Sequence, residues 1–288
     1  MNGFLSVLKP PGISSGTVVG KVKRCLPRGT RVGHAGTLDP AAAGVLPVMI
    51  GRATRLFEYT TDKKKTYIAE LVPGIETDTQ DITGTVTDRG RSGFSRDEIE
   101  RVLPRFIGTV DQIPPMYSAL KRDGKRLYDL ARKGETCALE PRPVQIDQIR
   151  VLYSEGDHYF LEVTCGRGTY MRTLCHDIGK ALGSCACMGM LIRTAAGPFE
   201  IGNAIPVEHL DAAVISEALL PMDLPVLGFQ ALDVTDLVTE KHLRAGMPIP
   251  CGEISPEGEP VRIYWQGQFC GMASRRENKL TFNCMLLE

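Results

Sequence analysis

Asp39 is the only carboxylate in a stretch crowded with backbone punctuation, Gly33-His34-Ala35-Gly36-Thr37-Leu38-Asp39-Pro40, which continues through Gly44 to Val45-Leu46-Pro47. Glycines on both sides let the chain bend and approach a ligand, while Pro40 biases the residue before it toward extended backbone. The result is a rigidly presented carboxylate. An ordinary Asp-Pro turn gives the same pattern. A second set of reactive types, Cys175, His176, Cys185 and Cys187, offers four zinc ligands on paper. Cys175 and His176 are adjacent on an expected helix, so their side chains diverge by about 100°, and buried thiols near a packed strand are the reading preferred for the set.

Several elements must hold the Asp39 loop. Residues 3–8 read as a strand, and Lys9-Pro10-Pro11-Gly12 as a turn that the paired prolines keep out of helix. Ser15 reads as the cap of a helix whose stripe is Val18, Val19, Val22, Cys25 and Leu26, with Lys21, Lys23 and Arg24 around it. After the loop, residues 45–50 and 67–72 read as strands. Residues 95–106 read as a helix opened by a Ser95 and Glu98 capping box, and 124–133 as another helix. Residues 143–153 and 159–165 read as neighbouring strands joined at Glu155-Gly156-Asp157. Strands and helices without a βαβ rhythm point to an α+β fold on a mainly antiparallel sheet. Beyond Pro221 the pattern changes to Gly- and Pro-rich strands around one short helical stretch at 235–244, which places a domain boundary near residue 227. The expected domains are therefore residues 1–227 and 228–288.

The 288 residues are 43% apolar and 24% charged, the balance of a chain that buries a proper core. No apolar run approaches the roughly 18 residues of a membrane span, and the amino end lacks a leader pattern, so no membrane partner and a cytoplasmic location are expected. Nine cysteines scattered from Cys25 to Cys284 fit reduced thiols better than a disulfide framework. Net charge is zero, yet residues 1–65 carry eleven Lys or Arg against Asp39, Glu58 and Asp62, which is +8 and leaves −8 for the remainder. Such a basic region either attracts phosphates or is a solvated surface; charge alone supports both.

Lys9-Pro10-Pro11-Gly12-Ile13-Ser14-Ser15 and residues 33–47 resemble the two leading motifs of the TruB family, the bacterial tRNA pseudouridine-55 synthases. The likeness continues in order through residues 62–67, Thr77-Asp78-Thr79-Gln80-Asp81, residues 114–121 (PPMYSALK), Arg142-Pro143, Gly168-Thr169-Tyr170-Met171-Arg172-Thr173-Leu174 and Leu191-Ile192-Arg193-Thr194. Departures are few: Ala41 and Ala43 replace a larger apolar residue and a threonine, and Val72-Pro73-Gly74 replaces a Leu-Gly pair.

The resemblance implies a pseudouridine synthase fold with a small C-terminal PUA-like β domain, acting on the T arm of tRNA without cofactor, metal or protein partner, as a monomer. It implies that Asp39 attacks the target nucleoside, that Arg172 pairs with and orients Asp39, and that Tyr67 and Tyr170 pack on the flipped base, Tyr67 also serving a late proton transfer. Leu191 would wall the pocket, His34 would fill the space vacated by the base, and Asp81 and Lys9 would organise the site from behind. Attack at C1′ and loss of the C2′ proton to a glycal are both compatible with these residues. Two rivals carry different products: an RNA-binding tRNA folding factor would leave uridine unchanged, and a nucleoside glycosidase would release uracil and need a second carboxylate to activate water.

Overall fold

The computed structural model describes residues 1–117, 121–122, 125–126, 139–251 and 257–287. It divides into two compact units, one comprising Met1–Asp39, Val45–Lys63 and Gly197–Glu288, the other Pro40–Gly44 and Lys64–Ala196.

The second unit is built on five antiparallel strands hydrogen-bonded in the order Ala186–Ala196, Lys65–Pro73, His158–Cys165, Arg142–Glu155 and Gly108–Gln112. Ala43 and Gly44 add a short parallel pairing to Ile192 and Arg193. The helix Met171–Ala181 buries Met171, Leu174, Cys175 and Ile178, the spacing of one helical face. Gly179 lets that helix approach the sheet: a Cβ there would lie 2.3 Å from the backbone nitrogen of Ala186. A second helix, Arg96–Val102, carries the expected capping box, with Ser95 and Glu98 each satisfying the other's backbone N–H, and runs on as the 3₁₀ turn Leu103–Phe106. Of the helix expected at 124–133, Lys125–Arg126 form instead a two-residue strand paired with Lys121–Arg122, and the rest lies outside the described residues.

In the first unit the strand Gly3–Lys9 pairs in parallel with Ile205–Pro206. The helix Ser15–Arg24 lays Val18 and Val22 on a core made with Leu5, Val7, Leu46, Val48, Ile50, Val207 and Ile215. Ser14, and not Ser15, caps this helix: its hydroxyl accepts from the Thr17 N–H at 3.0 Å. Two adjacent serines offer the same capping chemistry, and the chain uses the second for something else. Farther along, a separate five-stranded sheet runs Ala231–Asp233, Pro260–Trp265, Gln268–Arg276, Lys279–Met285 and Ile249–Pro250, around a core of Val234, Leu243, Val261, Ile263 and Leu280. Arg52 and Arg55 donate to the carbonyls of Leu286 and Met285 at 2.8 and 2.6 Å, tying residues 51–56 to the end of this sheet.

Candidate active site

The Asp39 loop is fixed by backbone pairing and one hydroxyl. His34 ends the strand Val32–His34, whose residues pair with Val48, Met49 and Ile50, and Ala35 N–H continues the ladder to Pro47 C=O at 2.9 Å. Gly36 then takes φ +97°, a conformation open to glycine. Two residues on, Leu38 is gripped at both backbone groups: Ser15 Oγ donates to Leu38 C=O at 3.0 Å and accepts from Leu38 N–H at 2.9 Å. Ser15 is 2% exposed and Leu38 3%, so these bonds are shielded from water. Asp39, half-buried, is the next residue and the last of its unit.

On the far side of Asp39 the chain is gripped again, within the second unit. Gly44 takes φ +117° and lies so close to Arg193 that a Cβ would stand 2.2 Å from its carbonyl oxygen and 2.5 Å from its nitrogen. Only glycine permits that approach. Lys9, at the end of its strand, is fully buried and donates from Nζ to Pro10 C=O at 2.9 Å, bracing the turn that leads to Ser14 and Ser15.

Tyr67, Leu191 and Arg193 share one strand pair. Tyr67 is matched with Arg193 on one side and Val163 on the other, and Leu191 with Ala69. A register shift between Met188 and Leu191 precedes these matches. There the Glu70 carboxylate accepts from Met190 N–H at 2.7 Å and pairs with His158 Nδ1 at 2.7 Å, while Gly189 has no side chain to collide with it. The bulge thus has an identifiable cause in Glu70 and Gly189.

Tyr170, Arg172 and Asp81 meet at the start of the helix Met171–Ala181. Tyr170 is its N-cap, and the carboxamide of Gln112 accepts from Tyr170 N–H at 2.9 Å and donates to Tyr170 C=O at 3.3 Å. Arg172, 5% exposed, donates to Tyr117 C=O at 2.9 Å and Thr79 C=O at 3.3 Å, with Nε 3.9 Å from the Asp81 carboxylate. Asp81 in turn accepts from the hydroxyls of Thr79 and Thr83 and from Thr83 N–H, closing the turn that presents Thr79. Thr173 Oγ1 sits 3.1 Å from Gln80 Oε1 and 3.3 Å from Ile113 O, so two loops converge on one helix end.

Cys165, Cys175, Cys185 and Cys187 are buried. Cys175 faces the Glu70 carbonyl and burial pushes its thiol pKa strongly upward. Burial raises Cys165 and Cys187 to about 11. His176 is engaged with Asp177 and Glu76, and the Asp177 hydrogen bond raises its pKa. Among the described residues no three His, Cys, Asp or Glu are gathered as metal ligands, and no helix is long and apolar enough to cross a membrane.

The basic amino-terminal residues have distinct fates. Arg28, Arg31, Arg52 and Arg55 line a hollow of about 450 Å³. Lys63 lies over the Phe229 ring, Lys64 pairs with Asp147 at 3.2 Å, and Lys65 is buried at 7% exposure. Lys65 therefore belongs with the sheet interior and not with a phosphate-facing surface. Sequence reasoning did not anticipate the side-chain grips of Ser15, Glu70 and Gln112 on backbone groups. Ser15 stood inside a motif, but its partner Leu38 lies 23 residues away, for which no local pattern exists.

Sequence and fold comparisons assign the chain to a family. A family model described as "TruB family pseudouridylate synthase (N terminal domain)" matches residues 23–171, and one described as "tRNA pseudouridylate synthase B C-terminal domain" matches 172–226. A protein of Alkaliphilus oremlandii named tRNA pseudouridine synthase B is 42% identical over 277 residues, covering 94% of this chain and 92% of its own. One of the same name from Clostridium perfringens is 37% identical over 295 residues, covering all of both. Among solved structures, an H/ACA RNP bound to a substrate RNA containing 2′-deoxyuridine matches with TM-score 0.71 at 22% identity, over 99% of this chain and 85% of that one. A Cbf5-Nop10-Gar1 complex matches with TM-score 0.70 at 25% identity, over 99% and 84%. The likeness at 22% speaks for the fold, while the family model and the long, high-coverage matches go further: this chain belongs to the TruB family of pseudouridylate synthases.

Proposed function

We propose that this enzyme isomerises uridine to pseudouridine in tRNA at position 55 of the T loop, with Asp39 as the nucleophile. The observation that carries the reading is the grip on Leu38: a buried hydroxyl holds both backbone groups of the residue before Asp39, so the carboxylate is presented from a fixed loop. A nucleophile held in place in advance lowers the entropy lost on reaching the transition state.

The target uridine is extruded from the loop, because the reacting atoms are inaccessible in a stacked base. The Asp39 carboxylate drives cleavage of the N1–C1′ bond, by addition at C1′ or through a glycal. The uracil turns, C5 bonds to C1′, the C5 proton departs and N1 is left protonated, so the product is an isomer and no redox partner is needed. Tyr67 takes part in the final proton transfer, Tyr170 stacks on the base, Leu191 walls the pocket and His34 occupies the space the base left. Arg172 orients Asp39, with Asp81 and Lys9 supporting. Residues 228–288 act as an RNA-binding module, and the basic residues of the amino-terminal region hold backbone phosphates.

The test is incubation of the chain with an unmodified tRNA transcript followed by mapping of pseudouridine by carbodiimide chemistry or mass spectrometry. Pseudouridine at position 55 is expected. Unchanged RNA would make the chain a folding factor, and an abasic site would make it a glycosidase.

A further inference from the structure

The start of the helix Met171–Ala181 carries two residues of the proposed site, Tyr170 and Arg172, one on either side of Met171. A helix start leaves backbone donors without intrahelical partners, and its position is set by whatever satisfies them. Ser, Thr, Asp or Asn most often does so from the cap position; here the cap residue is Tyr170, which makes no side-chain cap bond. The carboxamide of Gln112, 58 residues earlier in sequence, supplies the grip instead, accepting from Tyr170 N–H at 2.9 Å and donating to Tyr170 C=O at 3.3 Å. Gln112 is 2% exposed and ends the strand Gly108–Gln112, which is paired with Arg142–Glu155, so the carboxamide projects from a sheet and not from a free loop. The five residues that follow it dock on the same helix end through Ile113 C=O near Thr173 Oγ1 and Tyr117 C=O on Arg172.

We infer that Gln112 is a positioning residue for the isomerisation: its carboxamide fixes the Tyr170 backbone in both directions and thereby sets where the Tyr170 ring and the Arg172 guanidinium stand. An amide suits this task because it offers a donor and an acceptor together. A carboxylate would keep the acceptor and lack the donor, and a thioether of similar length would have neither. The inference rests on the functional reading above.

The test uses the full chain, an unmodified tRNA transcript and two variants, Gln112→Met and Gln112→Glu, with circular dichroism to show that each is folded. In Gln112→Met both bonds are lost at nearly constant volume. Its kcat should fall by about 10- to 100-fold, the scale on which a displacement near 1 Å acts, while tRNA affinity changes less than threefold because phosphate contacts lie elsewhere. Residue-resolved amide exchange at Tyr170 should accelerate at least tenfold, a readout independent of turnover. Gln112→Glu, which still accepts from Tyr170 N–H, should keep that amide slow and retain more of kcat than the methionine variant. A folded Gln112→Met protein with kcat within twofold of native, or with unchanged exchange at Tyr170, overturns the inference while leaving the functional reading intact. Should Gln112→Met fail to fold, the glutamate variant decides: a folded protein with native kcat overturns the inference and a reduced kcat at native affinity supports it. A native chain that makes no pseudouridine overturns the functional reading, and with it the role given to Gln112.

Discussion

Replacing Ser15 by alanine removes one oxygen atom and should harm both stability and turnover, whereas the same change at Ser14 should harm stability alone. Ser15 Oγ bonds Leu38 C=O at 3.0 Å and Leu38 N–H at 2.9 Å in a buried setting. Stripping a buried group of its partner costs roughly 1–3 kcal/mol, so two such losses, partly relieved by relaxation, come to about 2–4 kcal/mol. At roughly 2–4 °C per kcal/mol for chains of this size, the melting midpoint of Ser15→Ala should drop by about 5–15 °C. Ser14→Ala removes an exposed helix cap, worth about 1 kcal/mol, and should lower the midpoint by only a few degrees. Kinetics separate the two further. Leu38 adjoins Asp39, so its release lets the carboxylate wander, and a shift near 1 Å can cost about 100-fold in rate. The assay is single-turnover pseudouridine formation with saturating tRNA transcript, beside thermal melts of both variants. If Ser15→Ala turns over at the native rate and melts no lower than Ser14→Ala, the idea that this hydroxyl presents Asp39 is wrong.

Gly44→Ala should be among the most damaging single-methyl additions in the chain: φ +117° and a Cβ 2.2 Å from the Arg193 carbonyl oxygen together imply a loss of about 3 kcal/mol or more, measurable by denaturant unfolding. Gly189→Ala meets the movable end of Glu70 at 2.3 Å and should cost less. Stability should fall between about pH 9 and 11, because burial raises Cys165, Cys187 and Cys270 to about 11 in the folded chain; the folded state then holds protons the unfolded state has already released. A stability that rises across that window in urea titrations would contradict the burial of these thiols. Affinity for tRNA should fall steeply with salt, and neutralising Arg28, Arg31, Lys63 or Lys64 should flatten the slope of log Kd against log salt, while Lys65→Ala should act mainly on folding.

The regular elements were legible because apolar spacing reports them directly. The stripe of Val18 and Val22, the Ser95 and Glu98 box and the strand His158–Cys165 stand where periodicity puts them. The motifs located the residues of the proposed site without showing how they are held. What holds them is long-range bonding of side chain to backbone, such as Ser15 on Leu38 across 23 residues and Gln112 on Tyr170 across 58, and no local window contains both partners. The misplaced cap has the same origin: Ser14 and Ser15 are equivalent as caps in sequence, and only the position of Leu38 assigns one to the helix and the other to the loop. Glu70 read as one more strand residue, yet its carboxylate shapes the bulge before Leu191. Counting charge found a basic region but not its parts: Lys65 faces the interior, and Arg52 and Arg55 also bind carbonyls of the C-terminal strand.

The most direct test of the central claim is Asp39→Asn. The amide is nearly isosteric, so the Ser15 grip, the glycines and the RNA-facing surface should survive, but it is a far poorer nucleophile than a carboxylate. Measured side by side with an unmodified tRNA transcript, with contaminating enzyme excluded, pseudouridine formation should vanish while tRNA affinity stays within about tenfold of native. An Asp39→Asn protein that forms pseudouridine at a near-native rate would contradict the account at its root.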